Sequence, residues 1–294
     1  MEINAAIKNV LISGATGNVG SEVIHALQKI NHSLYIVAGV RDVEVESKKS
    51  NNFKLSIVKF DFTEASTYAG ALQDCHILFL LRPPQISDTQ KYFEPLIEVA
   101  KRCKVEHIIF LSVQGVEKSK IIPHHKIEKM IVDSKICYTF LRPAYFMQNF
   151  TTTLRSDLVN KKLIYLPAGN AKFTLVDVRD VGAVAASVIV NTSIYANKAY
   201  ELTCNEALTF AEMAQKLSNG LGEKITFISP NLVQFFLQKR KEKVSVMYIL
   251  VLVMLHYLPR FQKQPAITSC VKDITGIEPI LFTQFVHDNI KLLK

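Results

Sequence analysis

The sequence lacks most of the features that would declare a function outright. Its five cysteines (75, 103, 137, 204 and 270) lie far apart, with no CxxC pair and no His/Cys grouping at metal-ligand spacing. That excludes a zinc ribbon and a disulfide scaffold and leaves reduced, mostly buried thiols; no metal is expected. There is no internal repeat, no low-complexity tract and no Gly/Ser linker. Residues 1–8 carry charges and form no apolar h-region, so a cytoplasmic protein is expected. No apolar run is long enough to cross a bilayer. The longest, residues 244–258, falls short of the ~20 residues a span needs and is interrupted by Ser245, Tyr248 and His256. Bracketed by Lys239-Arg240-Lys241 and Arg260, it reads first as a core or subunit-interface helix and second as a membrane-surface helix. Nor is there a basic arm. The formal charge of +9 is scattered along the chain, so no nucleic-acid partner is expected, and an anionic cofactor would benefit from the same field.

What is present is an apolar content of 49% in 294 residues, enough for a large core in one extended domain or in a nucleotide domain with a smaller lobe. Strand patterns near 9–13, 34–40, 55–60, 76–81, 107–111 and 137–141 alternate with helical ones and short turns. This βαβα rhythm predicts an α/β fold, a doubly wound parallel sheet covered on both faces. Beyond Pro143 the rhythm changes to short strands near 163–166, 172–176 and 199–203 among helices near 177–191, 209–219, 231–240, 244–257 and 282–292. The expected division is therefore 1–150 for the nucleotide domain and 151–294 for a smaller mixed α/β lobe woven back onto the sheet.

The organising stretch is Val10-Leu11-Ile12-Ser13-Gly14-Ala15-Thr16-Gly17-Asn18-Val19-Gly20, a buried strand running through a glycine turn into a helix. Glycines at 14, 17 and 20 let backbone N–H groups approach a pyrophosphate, which the helix N-terminus also attracts. In parallel sheets the ligand lies beyond the carboxyl ends of the strands, so the residues just after each strand carry the information. After the second strand stand Val40-Arg41-Asp42. Gly39 and Arg41 leave room and charge for a 2′-phosphate, which favours NADP(H) over NAD(H), whereas Asp42 could accept from a ribose hydroxyl and Arg41 could be a solvated surface residue. Asp61 and Phe62 follow the third strand, with Asp61 read equally as an acceptor from the adenine amino group or as a helix cap. After the fourth come Leu81-Arg82-Pro83-Pro84, a rigid turn whose arginine contacts either phosphate or solvent.

The fifth strand leads to Ser112-Val113-Gln114-Gly115 and then to Pro123-His124-His125-Lys126-Ile127-Glu128. A hydride-transfer site needs a group to hold the nicotinamide ribose and often a proton donor, and Ser112, Lys120 and His124 are the polar candidates. The histidines also fit a plain helix-start pair bonded to the neighbouring loop. Arg142-Pro143 and Tyr145, Phe146 and Asn149 are expected to border a substrate cleft, although a Phe/Tyr/Met cluster is more often core.

With these residues assembled, the chain resembles the NmrA-like family of atypical short-chain dehydrogenase/reductases, which have an NAD(P)-binding Rossmann fold. The matches are Gly14-Ala15-Thr16-Gly17-Asn18-Val19-Gly20, Arg41, Ser112-Val113-Gln114-Gly115, His124 to Glu128, Tyr138-Thr139-Phe140-Leu141-Arg142-Pro143, Phe146-Met147-Gln148-Asn149-Phe150 and Val176-Asp177-Val178-Arg179-Asp180-Val181. The family includes NADPH-dependent quinone reductases, triphenylmethane reductase-like enzymes and NADP-sensing regulators.

The resemblance implies that Gly14, Thr16, Gly17, Asn18, Val19 and Gly20 cradle the pyrophosphate and Arg41 the 2′-phosphate. Asp61 and Phe62 would frame the adenine, Leu81 and Arg82 border the cofactor, and Ser112 with His124 hold the nicotinamide side. Gln114, Tyr145, Phe146 and Asn149 would face the substrate. One departure stands out: no tyrosine is followed by a lysine four residues later, and an alignment on Glu128 places His124 and Lys120 where the wider superfamily has Lys and Tyr. The expected function is hydride transfer from NADPH to a small conjugated acceptor such as a quinone, by a monomer or homodimer. A non-catalytic NADP(H) sensor acting through a partner protein is the second reading and a nucleotide-sugar epimerase the third.

Overall fold

In the computed structural model, which describes residues 7–49 and 55–294, the alternating pattern becomes a parallel sheet for a simple reason. Each apolar run is too short for a helix and is followed by a helix with one buried stripe. The elements run β1 (Asn9–Ile12), α1 (Asn18–Lys29), β2 (Tyr35–Val40), α2 (Val43–Lys49), β3 (Ser56–Lys59), α3 (Ser66–Leu72) and β4 (Cys75–Leu81). They continue through α4 (Thr89–Arg102), β5 (His107–Leu111), α5 (Pro123–Ser134) and β6 (Cys137–Pro143). These strands match the expected ones to within a residue or two at each end, the usual uncertainty of a strand boundary.

After β6 come β7 (Tyr145–Phe146), α6 (Arg155–Lys161), β8 (Leu163–Tyr165), β9 (Phe173–Val176), α7 (Val178–Val190), α8 (Thr192–Tyr195) and β10 (Lys198–Leu202). The chain closes with β11 (Ala207–Leu208), α9 (Phe210–Leu221), β12 (Thr226–Ile228), α10 (Leu232–Lys241), α11 (Val246–His256), α12 (Cys270–Thr275), α13 (Phe282–Asp288) and α14 (Ile290–Leu293). The two- and three-residue strands β7, β11 and β12 are too short to leave a pattern of period 2 and were not expected.

Two compact units result. The first comprises the described residues up to Pro143 with Val178–Leu202 and Cys270–Ile277. It thus ends ahead of the expected boundary at 150, and later chain returns to it because β10 completes the sheet beside β6. Its seven strands lie in the order β10-β6-β5-β4-β1-β2-β3, all parallel. The order reverses between β1 and β4, the switch point at which open parallel sheets bind ligands. Register aligns the carboxyl ends: Ile12 stands opposite Phe79, Leu81 opposite Leu111, and Leu111 opposite Leu141. One face buries Leu78, Leu80, Phe93, Phe110, Ile127 and Ile131 in a single core. On the other, α1 and α7 approach so closely that a Cβ at Gly182 would lie 2.7 Å from the backbone of Glu22.

The second unit comprises Ala144–Asp177, Thr203–Ser269 and Glu278–Lys294. It holds a three-stranded sheet, β11-β9-β7, and the parallel pair β12-β8. Its core gathers Phe150, Phe173, Phe210, Phe235, Phe282 and Phe285. Helix α11 is not the fully buried core helix that was one half of the first expectation, and the expected alternatives of a subunit interface and a membrane-surface helix both suit its exposed face. Only Ile249, Leu252 and His256 are buried, because a stripe of spacing i, i+3, i+7 is all that one neighbouring core can cover.

Candidate cofactor-binding and active site

The turn after β1 is built to bring backbone against backbone. Gly14 has φ +60°, and a Cβ there would lie 2.8 Å from Leu81 Cδ2 at the end of β4. Gly17 N–H donates to the Gly14 carbonyl at 2.9 Å, and a Cβ on Gly20 would lie 2.2 Å from that same oxygen. Helix α1 therefore starts directly on the turn. Its N-cap is Gly17, with no side-chain cap, so the first N–H groups of the helix remain available to an anion. Thr16, Gly17 and Asn18 are exposed on the turn, whereas the Val19 side chain is buried with Val23, Ile24 and Leu27, leaving only its backbone for a ligand. Ser13, which sequence reasoning passed over, locks the turn to β4. Its N–H donates to Phe79 O at 3.0 Å, and its Oγ accepts from Leu81 N–H at 3.1 Å.

At the end of β2 the two candidate groups separate. Asp42 Oδ1 accepts from Val45 N–H at 3.0 Å and so caps α2, while Arg41 is exposed and forms no hydrogen bond or ion pair with a described residue. Asp61 Oδ1 accepts from both the N–H and the hydroxyl of Thr63, each at 2.8 Å. The Phe62 ring is turned into the core against Phe60 and Phe93, with centroids 4.9 and 5.5 Å away. Only the backbone of Phe62 can therefore frame a ligand. A cavity of about 370 Å³ opens beside the glycine turn, lined by Ala15, Thr16, Ser21, Ala38, Val40 and Ile57 among others.

Ser112 follows β5 and is 2% exposed; its Oγ is buried with no hydrogen-bond partner among the described residues. A stranded hydroxyl is unfavourable and marks a place where a ligand could supply the missing bond. His124, in the first turn of α5, accepts from Arg82 Nε at 3.3 Å, so Nε2 is the unprotonated nitrogen and Nδ1 carries the proton. Burial, and then the charge of Arg82, lower its pKa to about 3. It is a neutral imidazole at physiological pH and cannot relay an acidic proton, which narrows its expected role to that of a hydrogen-bonding group.

Arg82 is committed to its own turn, donating from Nη1 to the carbonyls of Pro83, Pro84 and Ile86 at 3.1, 3.1 and 2.6 Å. Lys120 is exposed and bonded to no described residue. Gln114 Nε2 donates to Glu201 Oε2 at 3.0 Å, which ties the β5 end to β10. Glu128 shares the His124 helix face in sequence but turns to Arg142, with a bidentate pair at 3.0 and 2.7 Å that holds α5 against β6.

In the second unit, His256 Nδ1 donates to Leu252 O at 2.8 Å, so its Nε2 accepts from the Tyr145 hydroxyl at 3.1 Å. Burial raises the Tyr145 pKa well above its ordinary value. Phe146 is half-buried in β7. His256 is the partner that sequence reasoning did not supply; its only signal was a polar residue interrupting an apolar run. Among the described residues no group of His, Cys, Asp and Glu could hold a metal ion.

A parallel sheet with a glycine turn at its switch point, three tight glycines and a buried unpaired hydroxyl on the same rim define a Rossmann-type protein with a site suited to a dinucleotide. The chain belongs to the NmrA-like family, whose model matches residues 6–253. It is 27% identical to the prestalk A differentiation protein A of Dictyostelium discoideum, over 97% of this chain and 94% of that protein. It is 28% identical to quinone oxidoreductase 2 of Escherichia coli, over 74% of this chain and 76% of that one. Triphenylmethane reductase of Citrobacter sp., crystallised with NADP(H), shares the fold with a TM-score of 0.83 and 22% identity, covering 96% of this chain and 99% of that one.

Proposed function

We propose that this chain is an NADP(H)-dependent reductase, with NAD(H) as a poorer cofactor, acting on a small conjugated acceptor such as a quinone. The observation that carries the reading is the turn itself, in which a Cβ at Gly20 would lie 2.2 Å from the Gly14 carbonyl while the helix above it begins without a side-chain cap. The residues present fit a dinucleotide. Gly14, Thr16, Gly17, Asn18 and Gly20, with the backbone of Val19, receive the pyrophosphate, and Arg41 takes the 2′-phosphate. Asp61 and the backbone of Phe62 lie toward the adenine. Ser112 Oγ and the Nδ1–H of His124 hold the nicotinamide side, beside Leu81 and the turn that Arg82 stiffens. The bound nicotinamide would supply a hydride.

The chain's own contribution is then binding and orientation. His124 is neutral and offers no acidic proton, so the acceptor must carry the charge it gains by delocalisation, as quinones and extended conjugated dyes do. Tyr145 and Asn149 are the polar groups assigned to that acceptor. Relatives named quinone oxidoreductase and NAD(P)H azoreductase support this reading. The missing acid equally favours a second reading, an NADP(H) sensor that binds without turnover.

Titration with NADPH and NADH side by side, repeated on Arg41→Ala, tests the cofactor. Loss of a charge-assisted contact worth about 1.5–3 kcal/mol should weaken NADPH about 10- to 150-fold and leave NADH unchanged. Equal affinities that the substitution does not alter would refute the 2′-phosphate assignment. Steady-state NADPH oxidation with a panel of quinones separates the two readings, since a sensor shows binding and no turnover.

A further inference from the structure

Helix α11 is apolar around its whole circumference, and such helices are otherwise buried on every side. Here one narrow stripe is covered, and Met247, Leu250, Val251, Met254 and Leu255 are exposed, Met247 to 73%. The turn that follows, Leu258–Phe261, extends the patch, with Phe261 72% exposed. Exposed apolar patches of this extent mark interaction surfaces.

Charge says what kind. No charged residue lies between Lys243 and Arg260, and both ends of the patch are basic, with Arg240, Lys241 and Lys243 before it and Arg260 and Lys263 after it, all exposed. The nearby acids are already used. Glu242 binds Lys239 and Lys161 at 2.7 and 2.9 Å, and Asp157 binds the same two lysines at 2.9 and 2.7 Å. Arg240 donates instead to the Val244 carbonyl and Arg260 lies over the Tyr257 ring, so none of the five flanking cations has an acidic partner among the described residues. A two-fold pairing of this patch with a second copy would bring basic end against basic end in either orientation, which like-charge repulsion opposes. A surface that is apolar within and anionic at its rim matches it.

We propose that α11 and the Leu258–Phe261 turn dock the protein on an anionic lipid surface. The helix lies in the interface plane, with Met247, Val251, Met254 and Phe261 at the acyl boundary and the flanking Arg and Lys on headgroup phosphates. It does not span: among the described residues no helix is long and apolar enough to cross a membrane, and eleven residues rise only about 16 Å.

Co-sedimentation of the full chain with phosphatidylcholine vesicles, with and without phosphatidylglycerol and at low and high salt, tests this. Binding is expected to the anionic vesicles alone and to fall with salt. Lys241→Gln with Lys243→Gln should weaken it about 30-fold, the equivalent of ~1 kcal/mol per removed charge. Met247→Glu with Val251→Glu should abolish it, while far-UV circular dichroism and the thermal melt remain those of the parent. Absence of binding to anionic vesicles, equal binding to neutral ones, or full binding by the charge-removed protein would overturn the proposal. So would a concentration-dependent dimer that Met247→Glu with Val251→Glu dissolves, since it would assign the patch to a second copy.

Discussion

Replacing Ser112 by alanine should move stability and cofactor affinity in opposite directions. The hydroxyl is buried beyond the end of β5 and has no partner among the described residues. Leaving such a group unsatisfied costs about 1–3 kcal/mol, and removing it recovers part of that, less the small void left by one atom. A net gain of about 1 kcal/mol for the free protein corresponds to a rise in Tm of roughly 2 °C at this chain length. With NADPH the sign reverses. The parent hydroxyl then gains a hydrogen bond worth about 1 kcal/mol, so the variant should bind about fivefold more weakly and show a smaller NADPH-induced rise in Tm. Scanning fluorimetry with and without saturating NADPH, beside a direct titration, reads both effects. A lowered Tm for the free variant would mean that the hydroxyl is already satisfied, and an unchanged NADPH affinity would remove Ser112 from the site. Either result refutes the reasoning.

Gly20→Ala should cost about 3 kcal/mol or more and abolish NADPH binding, because its Cβ would meet the Gly14 backbone oxygen at 2.2 Å and no flexible side chain can yield; a denaturation midpoint equal to the parent's would contradict this. Glu128→Ala leaves the half-buried Arg142 guanidinium only the longer 3.4 Å contact with the exposed Glu117 and should destabilise by up to about 3 kcal/mol, read as a shift in the urea midpoint. Acid should destabilise the fold early. Burial lowers the pKa of His107 and His256 to about 4 and of His124 to about 3, with Lys8 adding to the first and Arg82 to the last. Below the unfolded value near 6.5 the unfolded chain takes up protons that the folded one refuses. Stability is thus complete above about pH 6.5 and falls toward pH 4 at up to ~1.4 kcal/mol per pH unit per histidine. A Tm that stays level from pH 7 to 5 would contradict it.

The parallel sheet, the glycine turn and the succession of the first six strands along the chain were legible in the residues, because apolar runs, turn glycines and helix stripes are set by neighbours a few positions apart. The same locality made the rim residues readable as candidates without saying which were free. Asp42 and Arg41 are adjacent, and only the folded chain commits the carboxylate to a helix cap and leaves the arginine without a partner among the described residues. Phe62 sits where an adenine contact was expected, but Phe60 and Phe93 draw its ring into the core. His124 reads as a group that holds the nicotinamide ribose or relays a proton until burial, and then the charge of Arg82 beside it, keep the imidazole neutral. Gln114 reads as a substrate contact, and only the return of β10 to the sheet shows that its amide nitrogen is held by Glu201 at 3.0 Å. Residues 244–258 read by composition as a helix of the core, of a subunit interface or of a membrane surface, and only the tertiary structure shows that the chain's own core covers a single stripe of it. The sequence by itself thus determined what could form locally, the parallel sheet and the phosphate turn. Which side chains remain free, which are charged and which apolar surface meets water was decided by partners far away in the chain, and hydrogen bonding, desolvation and burial exist only once those partners have met.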